Sequence, residues 1–291
     1  VTSPVRVRPP RGLADLLAMG PVAGGGREPA QGTVRVDRIV GPDGRRAWIV
    51  AIPGTQDWSS RPGTNPFDLT GDVHLMAGRD TAAAHGVLAA MERAGVVGGE
   101  PVLLVGHSQG GLVAARLASD QGVLARYAVT HVVTSGAPVA GFEIPASVRV
   151  LSVEHTDDLV PQLDGRRNPA ADGWLTVSRR TDLPKRPAGP HSRGEYLRTA
   201  ARADSSHDPA LLEWRRGAAG FLDGEGVEAF STEVTCSRSP PRNGVSPSPW
   251  PAPGAGPSPR PPRRAGDPGP PRRSGPRHSD GGRCRPRLHG W

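Results

Sequence analysis

Residues 101–120 read PVLLVGHSQGGLVAARLASD and carry the clearest structural signal in the chain. The first part, residues 101–106, is a short apolar run that is typical of a buried strand. Residues 110–120 predict a helix, and the turn between the two segments is Gly-His-Ser-Gln-Gly-Gly at 106–111. A buried strand that passes through a glycine-rich turn into a helix is a repeating unit of α/β folds with a parallel sheet.

The segments on both sides of this stretch continue the same pattern. Alternating valines at 33–40, turn residues at 41–44 and an apolar run at 47–53 predict a hairpin that leads into a buried sheet. We expect further strands at 130–135, 148–153 and 174–178, helices at 81–94, 195–202 and 210–222, and a long loop at 54–78. Strands that alternate with helices in this way predict an α/β fold, with a mostly parallel sheet flanked by helices.

Composition divides the 291 residues into three parts. Residues 1–32 are rich in Gly, Pro and Arg and predict a flexible or partial N-terminal segment with one short helix at 12–19. Residues 33–235 predict the α/β domain. Residues 236–291 contain 15 Pro and 11 Arg, which predicts a disordered tail. This tail is either a basic arm or unselected sequence such as a frameshift produces. The initial Val fits either a GTG start codon or a missing N-terminus, and we expect a fragment.

The charge balance and the cysteines exclude several functional classes. The net charge is +8, but residues 236–291 carry +9, so the rest of the chain carries −1 and gives no sign of nucleic-acid binding. Both cysteines, Cys236 and Cys284, lie in the tail, which excludes a thiol nucleophile or a cysteine zinc site in the domain. No metal-binding or nucleotide-binding motif, transmembrane segment or signal peptide is recognisable. We therefore expect no cofactor, no metal and a cytoplasmic location, and the oligomeric state stays open.

Ser108 is the candidate nucleophile because it lies in a G-x-S-x-G turn between a strand and a helix. A serine at the tip of such a turn adopts strained backbone angles, and the small residues Gly106 and Gly110 let the chain segments approach closely. The N-terminus of the following helix then points at developing negative charge. The alternative is a serine that only shapes the turn.

The segment Gly54-Thr55-Gln56 follows the apolar run of the hairpin. Backbone N–H groups at Thr55 and Gln109 would together bind an oxyanion, unless Gly54 merely forms an ordinary turn. In the loop that follows, Trp58 and Phe67 are candidate substrate contacts, or they pin the loop to the domain. His107, beside the candidate nucleophile, is expected to pack against the pocket or shape it.

A serine nucleophile in such a fold needs an acid and a histidine base, in the chain order Ser, Asp, His. Two carboxylates, Asp157 and Asp158, follow the strand predicted at 148–153, and a carboxylate at this end of a parallel strand faces the site. Beyond them the domain contains only His191 and His207. His191 is the preferred base because it lies in the loop after the last predicted strand, whereas His207 precedes a helix.

Taken together, these motifs resemble the α/β-hydrolase superfamily on its lipase and esterase side, with some likeness to class 3 lipases. The resemblance spans about residues 33–223. It rests on GHSQGG at 106–111, Gly-Thr at 54–55, D-x-V-P at 158–161 and H-x-x-x-x-Y at 191–196. It favours Asp158 over Asp157, and it implies that Ser108 attacks an acyl carbonyl while His191 moves the proton and Asp158 orients the imidazole.

The resemblance also implies a reaction class. It implies hydrolysis of a carboxylic ester or thioester, in a small-molecule or lipid-like substrate, through an acyl-enzyme on Ser108. Two other interpretations stay open: an acyltransferase that uses the same three residues, and a catalytically inactive hydrolase fold that binds a ligand.

Overall fold

The computed structural model of the protein describes residues 3–23, 28–59, 63–181, 183 and 189–236. This part of the chain contains one sheet of eight strands. The strands are β1 Val5–Val7, β2 Thr33–Val40, β3 Arg46–Ile52, β4 Pro101–His107, β5 Ala128–Ser135, β6 Arg149–His155, β7 Trp174–Arg179 and β8 Gly226–Glu233. The helices are α1 Leu13–Ala18, α2 Leu69–Met76, α3 Ala82–Ala94, α4 Gln109–Ala118, α5 Gln121–Arg126, α6 Arg193–Asp204, α7 Pro209–Gly217 and α8 Ala219–Leu222.

The sheet has the strand order β1-β8-β2-β3-β4-β5-β6-β7. Strands β3 to β7 are parallel to their neighbours. Strand β2 is antiparallel to β3 and β8, and β1 is antiparallel to β8. The predicted α/β fold with a mostly parallel sheet is therefore confirmed. The carboxyl ends of β4 and β6 lie at the same edge of the sheet, which is where ligands bind in open α/β sheets.

Helices cover both faces of this sheet. On one face, Ile49, Leu103, Val133 and Leu151 of the central strands form a buried cluster with residues of α1, α6, α7 and α8. On the other face, α3 contacts β2, and α4 contacts β4 and β5. Because the central strands are covered on both sides, β3 and β4 are apolar along most of their length.

The N-terminal segment differs from the expectation. The short helix predicted there is present as α1, and the described part of residues 1–32 packs on the domain. Strand β1 pairs with β8, and Leu13 and Leu16 of α1 are buried. The Asp204 carboxylate accepts hydrogen bonds from the N–H groups of Leu13 and Ala14, both at 2.8 Å. A carboxylate 191 positions away in the chain thus caps α1.

Four further corrections concern helices and strands. The loop predicted at 54–78 contains α2, whose first turn is capped by Asp68 through a 2.8 Å bond from Gly71 N. The helix predicted at 210–222 is two helices, α7 and α8, separated at Ala218. Strand β7 is not the last strand, because β8 follows it, and α5 was not predicted.

Two further predictions concern the C-terminal tail and the absence of a transmembrane segment. Residues 237–291, which hold the predicted tail and Cys284, lie outside the described residues. Among the helices that the structure describes, none has the length and apolar character needed to cross a membrane.

Candidate active site

The turn between β4 and α4 places Ser108 in an unusual backbone conformation. Its φ is 55° and its ψ is −124°, and in the described residues it is the only non-glycine residue with a positive φ. Such a conformation costs about 1–3 kcal/mol and persists where the surrounding structure enforces it. Strain of this kind is concentrated at functional sites, and here it lifts the hydroxyl out of the strand toward the carboxyl edge of the sheet.

Close packing explains why glycine flanks this serine. A Cβ at Gly106 would lie 2.2 Å from the carbonyl carbon of Gly110, and a Cβ at Gly110 would lie 2.3 Å from the carbonyl oxygen of Ile52. A Cβ at Gly54 would lie 2.9 Å from the carbonyl oxygen of His107. The ends of β3 and β4 and the start of α4 therefore meet at distances that only glycine allows.

Ser108, His191 and Asp158 form a chain of hydrogen bonds. The Nε2 atom of His191 lies 3.1 Å from Ser108 Oγ, and its Nδ1 atom lies 2.7 Å from Asp158 Oδ2. A carboxylate accepts only, so Nδ1 carries a proton, and Nε2 is left to accept the serine proton. Ser108 is 9% exposed and Asp158 is 2% exposed, which shields this chain from bulk water.

Asp158 is held as an anion by three donors. Besides His191, the N–H of Val160 donates to Oδ1 at 2.9 Å and the hydroxyl of Tyr196 donates to Oδ2 at 2.7 Å. Burial alone would raise the pKa of Asp158, but these hydrogen bonds outweigh it and hold the pKa below its usual value. Asp157, the alternative acid, instead accepts from the N–H and hydroxyl of Thr181 at 3.0 and 2.5 Å.

His155 fixes the loop that carries His191. Its Nδ1 atom donates to the carbonyl oxygen of Pro190 at 2.6 Å, and its Nε2 atom lies 2.8 Å from the hydroxyl of Thr199. The ring stacks on Tyr196 with centroids 4.0 Å apart. Burial lowers the pKa of His155, which keeps it neutral.

The other two histidines considered in the sequence analysis, His207 and His107, have different surroundings. His207 is exposed just before α7. The ring of His107 lies 4.8 Å from that of His191, and its Nδ1 atom lies 3.2 Å from Ser135 Oγ. Burial, reinforced by the nearby His191 and Arg193, lowers the pKa of His107 to about 4. A neutral His107 does not repel positive charge that develops on His191.

The candidate oxyanion donors meet beside the serine. Gln109 is the first residue of α4, so its N–H has no partner within the helix. Within the described residues the N–H of Thr55 also makes no hydrogen bond, whereas that of Gln56 is bound to the carbonyl of Phe67 at 2.9 Å. The N–H of Gln109, at the N-terminus of α4, and the N–H of Thr55, in the loop after β3, can therefore bind developing negative charge.

The two predicted substrate contacts in the loop lie in opposite environments. Phe67 is fully buried, and its carbonyl also accepts from Asp57 N at 3.1 Å, which favours the interpretation that it pins the loop. Trp58 is 66% exposed.

A cavity of about 240 Å³ lies between α1 and the carboxyl ends of β3 and β4. Its lining includes Gly54, His107, which precedes Ser108, and Arg193. That guanidinium donates to the carbonyl oxygens of Leu17 and Met19 and so caps the C-terminal end of α1. The rest of the lining is largely apolar: Leu16, Leu17, Met19, Pro21, Ile52, Pro53 and Val105.

In the part of the chain that the structure describes, no group of three or more His, Cys, Asp or Glu side chains could hold a metal ion.

The sequence matches no protein-family model, and a search of the curated proteins finds no match either.

Sequence reasoning missed the roles of three residues near the site. Tyr196 was part of the H-x-x-x-x-Y motif, but nothing in the motif assigns it to Asp158. His155 precedes Asp158 in the chain, so the order Ser, Asp, His does not lead to it. Asp72 lies in a segment predicted as loop, yet its Oδ2 accepts from the hydroxyl of Thr55 at 2.9 Å.

Proposed function

We propose that the protein is a serine hydrolase that cleaves a carboxylic ester or thioester through an acyl-enzyme on Ser108. The observation that carries the proposal is the hydrogen-bonded chain from Ser108 through His191 to Asp158, at 3.1 and 2.7 Å. The strained backbone of Ser108 and the two unused amide donors beside it support the same conclusion. The lipase and esterase motifs support it as a resemblance only.

The reaction proceeds in two half-reactions on these residues. Ser108 Oγ attacks the acyl carbon as its proton moves to His191 Nε2, and the carbonyl electron pair moves onto oxygen. The N–H groups of Thr55 and Gln109 stabilise that oxyanion. When it collapses, the carbon–oxygen or carbon–sulfur bond to the leaving group breaks, and the alcohol or thiol takes the proton from His191.

Water completes the second half-reaction in the same geometry. His191 removes a proton from water as its oxygen attacks the acyl carbon, and then returns the proton to Ser108 Oγ as the carboxylic acid leaves. Asp158 stays ionised throughout, because its three donors stabilise the negative charge next to the imidazolium. The mostly apolar 240 Å³ cavity, which reaches His107 next to Ser108, would accept a short acyl chain.

Labelling with a fluorophosphonate probe tests the proposal. We expect the full chain to be labelled at Ser108 and to hydrolyse p-nitrophenyl butyrate, and we expect Ser108→Ala to do neither. The exposed Ser205 lies at the C-terminal end of α6, so Ser205→Ala is the matched control and should be labelled like the wild type. A folded wild-type protein that takes no label would contradict catalysis and favour the ligand-binding interpretation.

A further inference from the structure

Arg193, the first residue of α6, lines the 240 Å³ cavity between α1 and the carboxyl ends of β3 and β4. Its Nε and Nη2 atoms donate to the carbonyl oxygens of Leu17 and Met19. The Nη1 atom makes no hydrogen bond to the described residues, and a Cβ at Gly20, which also lines the cavity, would lie 3.9 Å from it. Capping α1 therefore uses only part of the guanidinium, and the two N–H groups of Nη1 remain unused.

No carboxylate balances this charge in the part of the chain that the structure describes. The residues that line the cavity include no Asp or Glu, and the Arg193 side chain contacts only carbonyl oxygens. Other arginines that pack on the domain, Arg35, Arg116 and Arg179, each lie beside a carboxylate. Burial lowers the pKa of His107 to about 4, so this second basic group of the lining is neutral at pH 7. Because Arg193 is exposed to solvent, the cavity presents a positive charge that an anion can reach.

The same cavity extends to the candidate nucleophile. Gly54 and Thr55 line it on the side of the sheet. A Cβ at Gly54 would lie 3.6 Å from the Cβ of Ser108, and Thr55 carries one of the candidate oxyanion N–H groups. An acyl group on Ser108 Oγ, with its oxygen at that N–H, can therefore enter the cavity that Arg193 lines on the side of α1.

We propose that the acyl group of the substrate is short and carries a carboxylate at its far end, and that Arg193 binds this carboxylate through Nη1. The substrate class is then a half-ester or half-thioester of a short dicarboxylic acid. The apolar residues of the cavity contact its methylene groups, and a charge-assisted hydrogen bond to Arg193 selects the charged end. Arg193 thus determines specificity and takes no part in the bonds that form and break. The proposal rests on the hydrolase function proposed above, because it takes Ser108 as the nucleophile.

Two esters that differ only in their terminal charge test this assignment. Mono-p-nitrophenyl adipate carries the carboxylate, and the ester with a terminal amide in its place is the neutral counterpart. Adipate is chosen because shorter half-esters hydrolyse by themselves through a cyclic anhydride. We expect the wild type to favour the anionic ester about tenfold in kcat/KM, mainly through KM, because hydrogen bonds to charged groups are worth at least that factor.

Arg193→Gln should abolish this preference. The ratio of the two kcat/KM values is the readout, since a loosened α1 would affect both esters alike. Arg202→Gln removes an exposed charge from the last turn of the same helix, so it is the matched control and should keep the wild-type ratio. Equal turnover of the two esters by the wild type, or an unchanged preference in Arg193→Gln, would overturn the proposal.

A binding measurement separates this proposal from the proposed function, since it needs no catalysis. In titration calorimetry, Ser108→Ala should bind monomethyl adipate about tenfold more tightly than the neutral dimethyl adipate. The difference should vanish when Arg193→Gln is added to Ser108→Ala. Equal binding of the two ligands by Ser108→Ala would refute the anion site even if the wild type hydrolyses esters. Selective binding without turnover of either ester by the wild type would support the anion site and contradict the hydrolase function alone.

Discussion

Replacing Ser108 by glycine should make the protein more stable than replacing it by alanine. Both variants lack the hydroxyl, so the lost bond to His191 cancels in the comparison. Alanine keeps a Cβ at φ 55° and ψ −124°, and therefore keeps the strain of about 1–3 kcal/mol. Glycine removes the strain but loses about 0.5–1 kcal/mol more conformational entropy on folding. The net advantage of glycine is about 1 kcal/mol, or roughly 2–4 °C in Tm for a domain of this size.

Urea unfolding of the two variants, followed by tryptophan fluorescence, measures this difference directly. The matched control is Ala201→Gly at an exposed position inside α6, where backbone angles are regular. There the same exchange should destabilise by about 1 kcal/mol, with the opposite sign. A Ser108→Gly variant no more stable than Ser108→Ala would refute the argument that the serine backbone is strained.

Two further substitutions test the packing and the acid of the site. Gly106→Ala places a Cβ 2.2 Å from the carbonyl carbon of Gly110, so it should cost at least about 1–3 kcal/mol and abolish fluorophosphonate labelling. Tyr196→Phe removes a donor from buried Asp158 and should cost about 1.5–3 kcal/mol in urea unfolding at pH 7. Because the native pKa of Asp158 lies below its unfolded value, this cost should shrink as the pH falls through that native pKa.

Each of these substitutions has a counterpart that should behave differently. A Cβ at Gly194 in α6 meets nothing within 4 Å, so Gly194→Ala should stabilise by about 0.5–1 kcal/mol and keep full labelling. The buried hydroxyl of Tyr127 has no partner among the described residues, so Tyr127→Phe should cost nothing. Normal labelling of Gly106→Ala, or equal costs for the two tyrosine variants, would contradict the contacts described here.

The elements that the sequence predicts well are those with a local signal. Strands β2 to β6 and helices α3 and α4 lie within a few residues of their predicted bounds, because their apolar periodicity needs no distant partner to be recognised. Helix α3 even has both predicted ends, since Thr81 accepts from Ala84 N at 3.2 Å and Gly95 closes it with a φ of 85°.

The elements that the sequence misses depend on distant partners. Helix α2 is held by Thr55 and Gln109, and β8 pairs with β1 and β2. The candidate active site also depends on contacts between residues that are distant in the chain. Chain order reduces the candidates for the acid to two adjacent aspartates, Asp157 and Asp158. The choice between them depends on Thr181, which follows β7 and donates a hydrogen bond to Asp157. No local pattern contains that contact.

The position of β8 between β1 and β2 has a consequence during biosynthesis. At 5–20 residues per second, the roughly 190 residues between β2 and β8 take on the order of 10–40 s to translate. Throughout that time the outer edge of the β2–β3 hairpin is unpaired and open to neighbouring nascent chains. Strand β2 carries Arg35, Asp37 and Arg38 within its apolar pattern, and charges on an unpaired edge discourage such contacts. We therefore expect the charged residues of β2 to disfavour edge-to-edge pairing until β8 has been synthesised.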